Sequence, residues 1–244
     1  MEIHSIGGPT VLIKLAGLRL LTDPTFDPPG DYPRPGRTLR KTAPPRLSAS
    51  ELGRLDAVLL SHDEHPDNLD HAGRALLATV PVVYTTPSGA DRLGGNAQGL
   101  APWTTVTLTR PDGGTLTVTS VPARHGPPGC ETVTGEVIGF VLSAPDLPSI
   151  YISGDNAALE LVEHIAYRCG PIDTAILFAG AARIPLLDAP LTLTSTQAAQ
   201  AAVILCARHV LAAHVDSWAH FTEGPTEFHA AFITAGIADR LLTT

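Results

Sequence analysis

The sequence has few cysteines, few lysines and no long apolar run. Its three cysteines are far apart and show neither a disulfide framework nor CxxC zinc spacing, so we expect a reducing cytoplasm. Only two of the 16 basic residues are lysines and the net charge is −8, which argues against nucleic acid as a partner. No segment is apolar enough to span a bilayer, and Met1–His4 lacks the features of a signal peptide.

Sequence signatures of several common enzyme classes are also missing. The sequence has no GxSxG nucleophile elbow, no P-loop and no GxGxxG dinucleotide motif. It has no short internal repeat. With 44% hydrophobic and 16% charged residues, the chain has the composition of a globular protein, and residues 1–244 are expected to form one domain.

The hydrophobic pattern predicts strands first and then alternating strands and helices. Residues 2–22 are expected to form a β-meander, and the Pro-rich stretch 23–45 an irregular lid or binding loop. Further strands are predicted over 57–60, 82–86, 103–109, 115–121, 136–142, 150–153, 174–178 and 210–213. Helices are predicted over 69–79, 87–93, 157–169, 196–208 and 225–235, with a short helix after the capping box 48–51. This order fits two packed sheets with helices on both outer faces.

The stretch Ser61–Asn68 is unusually rich in potential metal ligands. Its eight residues include two imidazoles and three carboxylates, directly after the apolar strand 57–60. Neutral histidine and carboxylate side chains bind Zn, Fe and Mn. Taken alone, the stretch also fits a polar loop that caps the next helix, with Asp67 or Asn68 as the N-cap.

Four predicted strands end in a potential ligand. These ligands are His62, His125, Asp155 and His214. Sites in layered α/β proteins gather at the carboxyl ends of strands, where loops converge without disrupting the sheet. The repeated pattern favours a metal site over four unrelated loop residues.

These motifs resemble the metallo-β-lactamase fold superfamily. The similar block is Leu59–Asp63, His125, Ser153–Asp155 and His214, in the family order. The resemblance implies a four-layer αβ/βα sandwich, in which two mixed β-sheets are flanked by helices. The branch that it resembles most is the cytosolic ascorbate-6-phosphate lactonase-like group of metal-dependent hydrolases. Stretches similar to bacterial members of that branch are 6–10, 22–24, 123–127 and 218–221.

The resemblance also implies a ligand set. His62 and His125 would bind one metal, Asp67 and His214 a second, and Asp155 would bridge both. The divalent metal is expected to be Zn, with Mn or Fe as alternatives. It would convert bound water into hydroxide near neutral pH, and Asp67 would orient that nucleophile.

The loop after the first strand departs from the family motif His-x-His-x-Asp-His. Glu64 stands at the second histidine position, Asp67 comes one place late and Asn68 replaces the last histidine. His65 can take the place of the missing ligand if the inserted residue turns the loop. Glu64 is the other candidate ligand. A glutamate at this place resembles the flavodiiron branch of the superfamily, and carboxylate ligands favour Fe or Mn over Zn. Both remain candidate ligands.

Residues near the strand ends provide further candidates. His220 lies six residues after His214, beside Trp218 and Phe221, and is either a substrate contact and proton donor or part of an aromatic packing cluster. Cys130 and Arg183 lie in loops that could face the pocket, although each also fits an incidental loop position. The remaining histidines are expected to serve surface or packing roles; they are His4, His71, His164, His209 and His229.

Three functional hypotheses follow. The first is a cytoplasmic metal-dependent hydrolase that cleaves an ester, lactone or phosphodiester of a small-molecule substrate through metal-bound hydroxide. The second, based on Glu64, is an iron-dependent oxidoreductase or a specialised biosynthetic enzyme on the same fold. The third, based on Asn68 and the shifted loop, is a metal-free binding protein or pseudo-enzyme of the same fold. A homo-oligomer is compatible with each of them.

Overall fold

In the described part of the chain, two six-stranded sheets and six α-helices form the body of the molecule. The computed structural model describes residues 1–34 and 36–242. The first sheet has the order β1-β2-β3-β6-β7-β8 and the second β14-β13-β12-β11-β10-β9, while β4 and β5 form a separate hairpin. The strands of the first sheet are β1 Glu2–Gly7, β2 Thr10–Leu15, β3 Leu18–Thr22, β6 Ala57–Leu59, β7 Val83–Thr85 and β8 Ala97–Gly99. Those of the second are β9 Thr105–Thr109, β10 Thr115–Pro122, β11 Ile138–Ala144, β12 Leu147–Ile152, β13 Thr174–Phe178 and β14 His209–Ala213.

Five of the six described helices lie on the outer faces of the two sheets, and the short third helix lies in the segment between β10 and β11. The helices are α1 His71–Leu77, α2 Pro87–Leu93, α3 Glu131–Thr134, α4 Leu159–Cys169, α5 Ser195–Ile204 and α6 Pro225–Thr234, with short 3-10 helices at Ala49–Leu52 and Ala238–Arg240. Among the described residues, no helix combines the length and the hydropathy needed to cross a membrane.

Successive side chains point to opposite faces of each strand, and this alternation creates three apolar layers. In β6, Leu59 packs between the two sheets, whereas its neighbours Val58 and Leu60 face the layer that contains the 3-10 helix at Ala49–Leu52 and α1. On the other side, Tyr151 of β12 packs against α4, α5 and α6. The order helix, sheet, sheet, helix confirms the expected four-layer αβ/βα sandwich.

The strands that carry the candidate ligands run towards one end of the molecule. In the second sheet, β10 and β12 are both antiparallel to β11, and β12, β13 and β14 are parallel. In the first sheet, β6 is parallel to β3 and β7. The amide of Ile138 donates to the carbonyl of Ser61, which ties the two sheets together beside the candidate site.

Several sequence-based boundaries were wrong. The stretch 23–45 is not irregular throughout, because β4 Gly30–Arg34 and β5 Arg37–Lys41 form a hairpin whose Tyr32 and Leu39 pack on Trp218. The sequence pattern did not predict this hairpin because Pro33 argues against a strand, since within sheets proline is tolerated mainly in edge strands. Pro35 lies outside the described residues. The predicted helix 69–79 is shorter because its N-cap is Asp70, whose side chain accepts from the amide of Gly73, rather than Asp67 or Asn68. The helix predicted over 196–208 spans 195–204, and the pattern did not predict the short elements β8 and α3.

Candidate metal centre

Three imidazoles and one carboxylate converge where β6, β10 and β12 end. We call His62, His65, His125 and Asp155 the three-histidine group. Nδ1 of His65 lies 2.9 Å from Nε2 of His62 and 3.2 Å from Nε2 of His125. Oδ2 of Asp155 lies 3.4 Å from Nε2 of His125 and 3.9 Å from Nε2 of His62. Ligand atoms around a tetrahedral Zn, at metal distances of about 2.0–2.1 Å, are separated by about 3.3 Å, so this spacing fits a metal ion.

A second group of potential ligands shares Asp155. We call Asp67, Asp155 and His214 the two-carboxylate group, and all three side chains are buried. Nδ1 of His214 lies 3.2 Å from Oδ1 of Asp155, and its Nε2 lies 3.4 Å from Oδ2 of Asp67. Asn68 donates from Nδ2 to the same Asp155 oxygen at 3.3 Å. Asp155 thus offers one oxygen to each group.

Unpaired buried atoms test whether the donor set fits a metal. In the described part of the chain, the atoms without a hydrogen-bond partner include Oδ2 of Asp155 and both ring nitrogens of His214. Their close neighbours lack hydrogen-bonding geometry, and a buried polar atom without a partner costs about 1–3 kcal/mol. A bound cation would satisfy the lone pairs of Oδ2 of Asp155, which faces the ring nitrogens of His62 and His125. The residues present therefore fit a divalent metal.

Hydrogen bonds on the far side of two imidazoles aim their Nε2 atoms into the three-histidine group. Nδ1 of His125 donates to the carbonyl of Leu191 at 2.7 Å. Nδ1 of His62 lies 2.9 Å from the hydroxyl of Ser61, which donates to Oδ1 of Asp23 at 2.6 Å. Because that hydroxyl uses its proton on Asp23, it accepts from His62. In both rings Nε2 keeps the lone pair that a metal needs.

The ionisation of the two groups differs. Burial lowers the pKa of His62 to about 4, so its imidazole is neutral near pH 7, which is the form that binds metals. Burial, with help from His62 and His125, also holds the pKa of His65 well below its usual value. Burial disfavours the cation of His214 as well, but Asp155 and Asp67 outweigh it and raise the pKa of His214 to about 10. Without metal, the two-carboxylate group is therefore an ion-pair cluster, whereas His62 and His65 of the three-histidine group are neutral.

The two carboxylates of this ion-pair cluster have lowered pKa values, whereas the pKa of His214 is raised. Burial raises the pKa of Asp67, yet His220 and His214 together hold it well below the usual value. Burial also opposes ionisation of Asp155, but His214 and His125 outweigh it, and the pKa of Asp155 is lowered. Both oxygen ligands are therefore ionised near neutral pH.

Backbone conformation at two strand ends sets the position of the ligands. Gly154 has a φ of +55°, and a Cβ there would lie 2.5 Å from the carbonyl of Ile138 and 2.9 Å from Cβ of Ser61. Only glycine allows this approach, which brings Asp155 next to the loop that follows β6. His214 adopts a φ of +57°, uncommon for a residue with a Cβ, and its amide donates to the carbonyl of Gly8 at 2.7 Å.

The structure separates the two alternative ligands of the first loop. His65 points into the three-histidine group, whereas Glu64 belongs to neither group. The side chain of Glu64 is about one-third exposed and pairs with Arg92 at 3.1 Å. The neighbouring Asp63 also accepts from Arg92, which anchors this part of the loop away from the metal ligands. The inserted residue thus turns His65 inward and Glu64 outward.

The remaining candidates have distinct surroundings. Nε2 of His220 lies 3.0 Å from Oδ2 of Asp67, so this imidazole reaches the site while it also packs on Phe221. Cys130 is buried and donates to the carbonyl of His125, and Arg183 is exposed. The five histidines assigned to surface or packing roles belong to neither group.

Sequence reasoning missed two residues that support the site. Asp23 and Ser61 are fully buried and orient His62 through the hydrogen bonds described above. The motif Thr22-Asp23-Pro24 contained the signal, since a carboxylate directly after a buried strand requires a partner. Its partner lies 38 residues away, and only the parallel pairing of β3 with β6 brings them together.

A large cavity opens beside the candidate metal centre. Its volume is about 1010 Å³, and its wall includes Arg37, His65, Arg92 and Ile184. A second, narrow space of about 10 Å³ lies beside it and is lined by Arg37, Leu39, His65, Asp67, His125, Ala182, Ile184, Leu191 and His220. His65 and Ile184 border both spaces, so the three-histidine group lies next to the cavity.

Comparison with known proteins identifies the family. The model of the β-lactamase superfamily domain matches residues 18–215. A UPF0173 metal-dependent hydrolase of Pyrococcus furiosus is 26% identical over 178 residues, which is 71% of this chain and 72% of the relative.

Solved structures share the fold over almost the whole chain. An isothiocyanate hydrolase from Delia radicum gut bacteria has a TM-score of 0.81 at 22% identity, covering 99% of this chain and 95% of the other. A possible metal-dependent hydrolase from Veillonella parvula has a TM-score of 0.84 at 17% identity, with the same coverage. The family match over 18–215 and the His/Asp groups lead to one conclusion: the chain belongs to the β-lactamase superfamily and is a metal-dependent hydrolase.

Proposed function

We propose that this hydrolase cleaves an ester, lactone or phosphodiester bond of a small molecule, with the metal held by the three-histidine group. The observation that carries the proposal is the convergence of three imidazoles and Asp155 beside a cavity of about 1010 Å³, whose wall includes His65. When bound, a divalent metal supplies an acidified water nucleophile and polarises the substrate oxygen. Zn is the first candidate, because it takes histidine nitrogen and carboxylate oxygen as ligands, and Mn and Fe are the alternatives.

Asp67 and His220 are assigned the proton-handling roles. The carboxylate of Asp67 is ionised and lies in the narrow space with His65 and His125, where it can orient the attacking water. His220 contacts Asp67 through Nε2, and its Nδ1 has no partner among the described residues. This pair can accept a proton from the nucleophile and return one to the leaving oxygen, which is general acid–base catalysis.

The composition of the second group supports a single metal. Asn68 stands where the resembling family has a histidine, and an amide is a weaker ligand for Zn than an imidazole. Asp155 and Asp67 already neutralise His214 when it is protonated, so a cation there must displace a proton. We therefore expect one firmly bound metal per chain.

An iron-dependent oxidation is not favoured by the geometry. That hypothesis depended on Glu64, whose carboxylate pairs with Arg92 instead of joining the ligands. A diiron β-hydroxylase of Streptomyces venezuelae shares the fold, with a TM-score of 0.65 at 15% identity. At this identity the likeness concerns the fold alone.

The experiment combines metal analysis with a substrate panel. The purified protein is stripped with a chelator, reloaded with Zn, Mn or Fe, and assayed on matched carboxyl esters, lactones, phosphodiesters and an isothiocyanate. We expect one metal per chain and turnover of one oxygen ester class. Protein that retains no metal, or that is inactive with every metal, refutes the proposal; turnover of the isothiocyanate alone refutes the substrate class. Oxygen consumption by the iron-loaded form supports the oxidoreductase instead.

A further inference from the structure

The wall of the large cavity has four carboxylates and four arginines, and among the described residues its carboxylates are all paired whereas two of its arginines are not. Its acidic residues are Asp31, Asp63, Glu64 and Asp70, and its arginines are Arg34, Arg37, Arg74 and Arg92. Each carboxylate has a cation within salt-bridge distance: Arg40 for Asp31, Arg92 for Asp63 and Glu64, and Lys41 for Asp70. Arg74 also approaches Asp63. Two arginines, Arg34 and Arg37, have no carboxylate partner in the described part of the chain.

These two arginines lie opposite each other in the β4–β5 hairpin. Arg34 and Arg37 form the last register pair of the hairpin. Like charges directly opposite each other destabilise a strand pair, so this arrangement is unfavourable for the hairpin alone. Arg34 donates to the carbonyl of Glu64, which fixes it beside the loop that holds His65.

Arg37 lies between the cavity and the metal ligands. It lines both the large cavity and the narrow space that contains Asp67, His125 and His220. Its side chain is half-buried, and no described residue accepts a hydrogen bond from its guanidinium. Burial lowers the pKa of Arg37 and the Asp67 carboxylate opposes that shift, which is consistent with a guanidinium that faces the site.

The rest of the cavity wall includes apolar side chains from two other segments. Val133 lies on one and Ile184 and Leu186 on the other, and Val133 and Leu186 are exposed, at 43% and 72%. Such exposed large apolar side chains beside a charged wall are typical of a ligand site. A ligand in this cavity would meet a cation near the metal and an apolar surface farther out.

We infer that the substrate carries an anionic group in addition to the bond that is cleaved, either a carboxylate or a phosphate monoester. The Arg37 guanidinium binds this group close to the scissile bond, and Arg34 lies beside it. This inference rests on the proposed hydrolase function and narrows its substrate class. Guanidinium forms two parallel hydrogen bonds to a carboxylate or phosphate, which holds the anion in one orientation and thereby places the scissile carbonyl or phosphoryl group over the metal ligands. The apolar body of the substrate packs on Val133, Ile184 and Leu186.

A matched pair of esters tests the inference kinetically. The metal-loaded protein is assayed on 4-nitrophenyl hemisuccinate and on 4-nitrophenyl butyrate, which share a leaving group and differ in one carboxylate. We expect Arg37→Gln to lower kcat/KM for the hemisuccinate at least 10-fold, mainly through KM, and to change the butyrate less than 3-fold. Arg37→Lys should restore part of the loss, because it keeps the charge but not the bidentate geometry. Arg54→Gln is the control, since Arg54 is exposed and lines neither space.

A binding measurement keeps the inference testable if no ester is turned over. Calorimetry with the metal-loaded protein compares benzoate and phenylphosphonate with the uncharged benzamide, and each variant is first checked for metal content and thermal midpoint. We expect either anion to bind at least 10-fold tighter than benzamide, and Arg37→Gln to abolish that preference; whichever anion binds tighter identifies the carboxylate or the phosphate source. Equal binding of the three probes, or a preference that Arg37→Gln leaves intact, overturns the inference. Anion binding without hydrolysis of any substrate would refute the proposed function alone.

Discussion

Replacement of Ser61 by alanine tests how the protein prepares His62 for a metal. The hydroxyl of Ser61 is fully buried, accepts from Nδ1 of His62 at 2.9 Å and donates to Oδ1 of Asp23 at 2.6 Å. Ser61→Ala removes both bonds, while Asp23 keeps only the amide of residue 61. The Nδ1 proton of His62 then has no acceptor, and the ring is free to turn or to change tautomer.

The magnitude of this effect can be estimated from similar outer-shell hydrogen bonds. Loss of such a partner weakens metal binding by about 10–100-fold, which corresponds to roughly 1.4–2.7 kcal/mol. In the metal-free protein, the unpaired groups should lower the free energy of unfolding by about 1–3 kcal/mol. The metal dissociation constant is measured by competition with a chromogenic chelator, and the stability by urea unfolding.

A second buried serine provides the control. Ser120 is fully buried in β10, and its hydroxyl donates to the carbonyl of Ala101, away from the ligands. Ser120→Ala should lower stability by a similar amount and leave the metal dissociation constant within 2-fold. An unchanged dissociation constant in Ser61→Ala, or an equal loss of affinity in both variants, would refute the reasoning.

The remaining predictions concern ligands, pH and backbone. His65→Ala should reduce bound metal, measured by atomic emission, far below one per chain, whereas Glu64→Gln should retain it; the reverse result would make Glu64 the ligand. In the metal-free protein, the folded-state pKa of His62 is about 4 and its unfolded value about 6.5, so its contribution to stability is complete above pH 6.5 and is lost as pH falls towards 4. That contribution is about 3 kcal/mol. When the free energy of unfolding is measured in urea at several pH values in this range, its slope against pH should be smaller by about one proton in His62→Gln; equal slopes would contradict the assignment. Gly154→Ala should lower the free energy of unfolding by at least about 2 kcal/mol, because its Cβ would crowd Ile138 and its φ is positive, and a neutral result in thermal or urea unfolding would contradict the required close approach.

The fold was predictable because its signals are local and repeated. The alternation of strand residues such as Val58 and Leu59, together with the amphipathic helices, predicted two sheets with helices on their outer faces, and the motifs predicted the superfamily. The β4–β5 hairpin was not predicted, since Pro33 masks a strand whose Tyr32 is stabilised by Trp218, distant in sequence. Tertiary packing thus decided the structure where local propensity pointed elsewhere.

The candidate site was predictable in its members more than in its geometry. Residues that follow buried strands, such as His125 and Asp155, could be identified from the pattern alone. The choice between Glu64 and His65 could not, because it depends on the direction in which one inserted residue turns the loop. Arg92, which pairs with Glu64, comes from α2 and is 28 residues away in sequence. Asp23 was missed for a similar reason, since its partner Ser61 is brought near by sheet pairing.

Anomalous diffraction at the metal absorption edge, from crystals of the protein purified without chelator, tests the central claim most directly. We expect one strong peak within about 2.0–2.2 Å of Nε2 of His62, Nδ1 of His65, Nε2 of His125 and Oδ2 of Asp155. A peak that includes the carboxylate of Glu64 among its ligands, or no peak after reloading with Zn, Mn and Fe, would contradict it.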